Sequence, residues 1–193
     1  MRIRMFLSAA AVALMSGASF AQLREAPEDF TAVAAVPANN VVAGAGTVLM
    51  SLDRWSTAAE RSMLVRTLRE KGLSAGLDAL HNMRPLGTIR TPDSPAYDLR
   101  YAKQTRAEDG RRRIVLATES PIGFWEACHR PRLVDDSSFT VIQMHIDAEG
   151  RGTGTMSVGT KIRAYDNSIE FEDLASCRVM LTDILAVPDD ERE

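Results

Sequence analysis

The chain has 193 residues, 45% of them hydrophobic and 25% charged, and a formal net charge of −3. That length suits one folded domain behind a leader. The mild acidity argues against nucleic acid, whose binding calls for a basic surface that displaces counterions from phosphates.

The first residues set the expected address. Arg2 and Arg4 form a short basic region, Phe6 to Met15 is apolar apart from Ser8, and Ser19 and Ala21 are the small residues a signal peptidase accepts. This order predicts a secretory signal over residues 1–21 and a mature chain beginning at Gln22. The apolar run is too short to span a bilayer, and no later run approaches that length, so no transmembrane segment is expected once the signal is removed. Gln22, not cysteine, stands directly after Ala21, which argues against a lipid anchor there. Loss of Arg2 and Arg4 takes the net charge from −3 down by two to −5. An exported, periplasmic or extracellular chain meets oxidising conditions, so the even pair Cys128 and Cys177 is expected to form a disulfide. Closing that loop without strain would stabilise by roughly 4 kcal/mol. Two buried free thiols are the alternative.

Residues 22–46 are rich in Ala, Val and Gly and broken by Pro27, Pro37, Asn39 and Asn40. Phe30 to Val36 suits a short strand, and Pro37 to Gly46 reads as a connector, so 22–46 is expected to be a flexible segment ahead of one domain over 47–188. Thr47 to Arg54 alternates, with Val48, Met50 and Leu52 on one face. The period then changes. Thr57 and Glu60 have capping-box spacing, and Met63, Leu64, Thr67 and Leu68 recur at helical intervals. Gly72 stands where a left-handed cap would end that helix, and Ser74 can begin a second, carrying Leu77 and Leu80 and stopping before Pro85.

From Leu86 onward the period is two. Gly87 to Thr91 is a short strand, and Tyr97, Leu99 and Tyr101 alternate with Asp98 and Arg100. Asp109-Gly110 turns the chain into Ile114 to Thr118. Phe139 to Asp147, then Met156 to Ile162, Ile169 to Asp173 and Arg178 to Val187 read as further strands, ahead of an acidic, disordered tail at 189–193. Hairpins joined by tight turns imply antiparallel pairing, since a parallel sheet needs helical crossovers. The expected fold is α+β: a large curled antiparallel β-meander, able to close as a barrel, with one N-terminal helical unit packed on it.

The stretches Trp55-Ser-Thr-Ala-Ala-Glu60, Gly87-Thr-Ile-Arg-Thr-Pro92, Tyr97-Asp-Leu-Arg-Tyr101, Arg113-Ile-Val-Leu-Ala-Thr118 and Phe124-Trp-Glu-Ala127 resemble a family of uncharacterised secreted bacterial proteins. The resemblance runs from about residue 47 onward, taking one domain as the unit. It implies export and a shared fold, and it brings no activity, substrate or catalytic residue. It also implies that residues other than Cys can stand at 128 and 177, which would make the disulfide a local staple.

The candidate site is Glu119-Ser-Pro-Ile-Gly-Phe-Trp-Glu-Ala-Cys-His-Arg-Pro-Arg132. Pro121, Gly123 and Pro131 break regular structure there, and connections of that length are usually functional or pinned. Phe124 and Trp125 are too large to leave in water without reason. The favoured reading is that they plug one end of the sheet while Cys128 staples the loop; the functional one is a lid over a cavity. Phe124, Trp125, Glu126 and His129 are therefore the candidate binding residues. Glu126-Ala-Cys-His129 has a di-iron spacing, but those sites need the motif twice on facing helices, and His81 and His145 are scattered, so no metal or other cofactor is expected. Thr155-Met-Ser-Val-Gly159 lacks the first glycine of a nucleophile elbow and lies within a strand. Arg111-Arg112-Arg113 follows a hairpin turn and is expected to spread over a solvated edge, an anion-binding patch being the lesser reading. Two functions stay open. One is a non-catalytic exported domain binding a small apolar ligand, a polymer or an envelope partner. The other is an exported hydrolase or isomerase using carboxylates such as Asp98, Glu119 or Glu126.

Overall fold

The computed structural model describes residues 25–38, 41–118, 139–165, 168–173 and 178–188. Nine strands and one helix follow in the order β1 Glu28–Ala38, β2 Val41–Leu52, α1 Ala58–His81, β3 Gly87–Arg90, β4 Tyr97–Arg106, β5 Arg112–Thr118, β6 Phe139–Ile146, β7 Arg151–Tyr165, β8 Ser168–Asp173 and β9 Val179–Pro188. All pairings are antiparallel. Strands β1 to β6 run as a meander, β6 pairs β7, β7 pairs β9, and β9 returns to β1, which closes an eight-stranded barrel. The outer half of β7 leaves the barrel at Gly159 and pairs β8. The expected α+β fold, a curled antiparallel sheet with one helical unit, is the fold observed.

Strand pairing begins earlier than composition suggests. From the stretch expected as a connector, Pro37 and Ala38 belong to β1 and Val41 to Gly46 to β2, and the two strands pair from Glu28↔Leu52 to Ala38↔Val41. Inward positions of β1 and β2 explain why these residues are held: Phe30, Ala32, Ala34, Val48, Met50 and Leu52 are all buried in the barrel. Alanines at 32 and 34 leave room for the larger chains opposite. On the far side Ile114, Leu116, Ile142, Met144 and Ile146 complete the filling. Packing of this kind, apolar inside, is the inverse of a membrane barrel, whose lumen is polar and whose outside is apolar. Among the described residues no helix is long and apolar enough to cross a membrane.

Two β-bulges set which side chains face the core. Leu99 pairs Thr118 but Tyr101 pairs Ala117, so Arg100 is an extra residue in β4. Ahead of it Leu99 points into the barrel; beyond it Ala102 does, and Tyr101 turns outward beneath the helix. Tyr97, Leu99 and Tyr101 therefore do not share one face, as plain alternation predicts. The second bulge lies at Asp183 of β9, which takes a left-handed φ of 50°. Bulges insert one residue, bend the strand and help a sheet to curl. Close approach does the rest: a Cβ at Gly152 would fall on the carbonyl oxygen of His145, so only glycine lets β7 lie this near β6 there.

The helix covers one side of the barrel. Leu64, Val65, Leu68 and Leu80 pack with Met83 on Tyr101, Ala117, Phe139 and Val141. Gly72, with φ 82° and ψ −172°, breaks α1 where a left-handed glycine is expected, and Gly76 folds back against Leu68. The start is held by a capping box: Thr57 Oγ1 accepts from the Glu60 N–H and Glu60 Oε2 accepts from the Thr57 N–H. Both Glu60 carboxylate oxygens also accept from Arg54, at 2.9 Å each. Ser56, fully buried, joins β4: its N–H donates to the Ala102 carbonyl at 3.1 Å and its Oγ accepts from the Ala102 N–H at 3.0 Å. It satisfies both backbone groups of Ala102, which the short β3 does not reach.

Hydrogen bonding to Arg54, foremost, lowers the Glu60 pKa from 4.5 to about 2. A carboxylate favoured in the fold stabilises above its unfolded pKa, and that contribution is lost as pH falls toward the folded value. The urea midpoint of the parent should therefore exceed that of Glu60→Gln by a constant margin above pH ~5, and the margin should shrink as pH falls toward ~2. A margin that does not change with pH would remove the pair from the acid response.

Candidate functional site

Phe124, Trp125, Glu126, Cys128, His129 and Cys177, with Glu119, lie outside the described residues. Asp98 lies on the outer face of β4, opposite Thr88, and its carboxylate is held by Arg100 at 2.9 Å. His145 lies on the outer side of β6 opposite Arg113, and His81 in the last turn of α1. Among the described residues no group of three His, Cys, Asp or Glu side chains could hold a metal ion.

One polar cluster lies at the barrel end formed by the start of β1 and the β4–β5 and β6–β7 turns. Arg112 reaches across it, with Nη1 to Glu28 Oε1 at 2.9 Å, Nη2 to Oε2 at 2.7 Å and Nε to Gln104 Oε1 at 3.1 Å. Glu28 is 7% exposed. The fork geometry of guanidinium on carboxylate is the strong form of such a pair. This corrects the expectation for Arg111-Arg112-Arg113, because only part of the triplet is solvated. Arg112 turns into the barrel mouth, Arg111 pairs with Asp109 in the turn, and Arg113 stays on the outer face. Alternation along β5 from the core residues Ile114 and Leu116 places Arg112 inward, and that was the available signal.

The second feature is outside the barrel, on the side away from α1. Neighbouring outward positions are Thr31, Val33 and Ala35 on β1, Thr47, Leu49 and Ser51 on β2, and Met180, Thr182 and Leu185 on β9. Three large apolar side chains here are exposed: Val33 at 36%, Met180 at 42% and Leu185 at 47%. Beside them runs a groove of about 280 Å³ lined by Asp29, Thr31, Leu49, Ser51, Thr88 and Arg90. Leu185 faces outward only because of the bulge at Asp183; unbroken alternation from Val179 and Leu181 would bury it. Exposed apolar side chains gathered on one face mark interaction surfaces more often than single ones do.

The third is electrostatic. Burial first, and then the charges of Arg61 and Arg113, lower the pKa of Lys103. Two residues along the same face of β4, Tyr101, 1% exposed, has its phenol pushed up to about 12 by desolvation. Comparison of the chain with family models, with curated proteins and with solved structures finds no match.

Proposed function

We propose that the chain is an exported, non-catalytic binding domain that meets an apolar ligand, a polymer or an envelope partner on the outer face of β9, β1 and β2. The observation that carries this reading is the uncovered group Val33, Met180 and Leu185 beside the groove, on a barrel whose other side is roofed by α1. The filled interior favours binding on the outside over binding within the barrel. Export rests on the pattern of residues 1–21. A Cys128–Cys177 bond belongs to the same proposal: Phe139, Gly159 and Asp173 are in register, and Val179 pairs Met156, so the strands flanking both cysteines end at one end of the barrel. Membership of the secreted family rests on the stretches quoted for it.

One preparation tests these points. The exported protein should have the mass of a chain beginning at Gln22, less two hydrogens; retained Met1 would sink the export reading. The purified protein should cosediment with isolated cell envelope. Replacing Met180 and Leu185 together by Glu should weaken that binding roughly tenfold or more, as loss of contacts central to an interface does, with an unchanged urea midpoint. Equal binding by parent and variant would overturn the assignment of the face.

A further inference from the structure

We propose an anion site for a phosphate group on the opposite side of the barrel, formed by Arg61, Lys103 and Arg113 at the N-terminal end of α1. Three elements bring these cations together. Lys103 and Arg113 stand on the outer face of adjacent strands, since Lys103 pairs Val115 and Thr105 pairs Arg113. The chain before α1 is fastened to β4 through the two Ser56–Ala102 hydrogen bonds, next to Lys103. Arg61 donates to the Ser56 carbonyl from the first turn, which holds its guanidinium over the same stretch of β4.

Acidic compensation is sparse. Glu25, exposed, lies 3.8 Å from Arg61, and Glu60 is engaged by Arg54. Arg113 reaches Gln143 Oε1 at 3.5 Å, a neutral acceptor. Among the described residues no hydrogen bond or ion pair reaches Lys103, although it is half-buried, and no acid counters the repulsion it feels. Gathering partly desolvated like charges is unfavourable unless an anion joins them. Two guanidinium forks and an ammonium suit a phosphate, which offers several strong acceptor oxygens and up to two charges. The phosphate can belong to a solute or to a lipid headgroup.

Isothermal titration of the whole mature protein with inorganic phosphate should show one saturable site. Lys103→Gln and Arg113→Gln, both outward positions, should each weaken it roughly tenfold or more, the scale of one charged hydrogen bond. Lys103→Arg should retain it. Arg90→Gln, on the face assigned to the ligand above, should bind phosphate like the parent, so failure here is separable from failure of that reading. Vesicles containing phosphatidic acid identify the source. Retention on them that free phosphate displaces indicates a headgroup; phosphate binding without retention indicates a solute. No saturable binding at millimolar phosphate, or equal weakening by Arg90→Gln, would overturn the site.

Discussion

Replacing Arg112 by Ala is expected to lower stability by about 3–5 kcal/mol, the cost of breaking a buried ion pair from one side. The loss is large because Glu28, 7% exposed, would lose the guanidinium that contacts both of its carboxylate oxygens. Glu28→Ala should do comparable damage by stranding the guanidinium. The double change Glu28→Leu with Arg112→Met should recover most of it, since apolar replacement of a whole buried pair is often neutral or better. Urea titration of the four proteins checks all three expectations. A loss under about 1 kcal/mol for Arg112→Ala would rank the pair with ordinary surface bridges.

Trp55→Ala is the second substitution with a large expected effect, about 3–5 kcal/mol, as for other buried aromatic truncations. Trp55 is 4% exposed and packs into the barrel cluster with Leu52 and Leu86. Its indole N–H donates to the Ala26 carbonyl at 2.9 Å, which fastens the chain just ahead of β1. Trp55→Phe retains most of the ring and loses that hydrogen bond, so it should cost about 1 kcal/mol. If both variants unfold at the same urea concentration, cavity formation is not the cause. If Trp55→Ala costs under about 1 kcal/mol, Trp55 is not an anchor of this end.

Periodicity made most of this fold legible. The switch from alternation at Thr47 to helical spacing after Thr57, and back at Leu86, located α1 between strands, and Gly72 marked the break within it. Asp109-Gly110 located a hairpin. What alternation could not supply was a change of face within a strand. Arg100 and Asp183 are single inserted residues, and each reverses inside and outside for everything after it. Tyr101 consequently sits under the helix and Leu185 in the open. Pairing of β1 with β2 was missed for a different reason: Ala and Gly have little strand preference of their own, and packing inside a closed barrel holds them there. Of the surfaces proposed, the cation group was visible in only one of its three members, Arg113 of the triplet Arg111-Arg112-Arg113. Strand parity along β5 separates Arg112 from Arg113, but bringing Arg61 from α1 beside Lys103 depends on tertiary packing, and local pattern does not carry that information.

The closing pair of strands bears on how the chain folds. Glu28 lies opposite Pro188, so the first strand of the barrel finds its second neighbour only at the last. Contacts this distant in sequence form slowly, because a long loop must lose its freedom before they contribute anything. A partly synthesised chain has β1 and β2 as a hairpin and no way to complete the ring, and barrel closure has to wait for β9. The ring stays open, with one edge of β1 unpaired, until the last strand is in place.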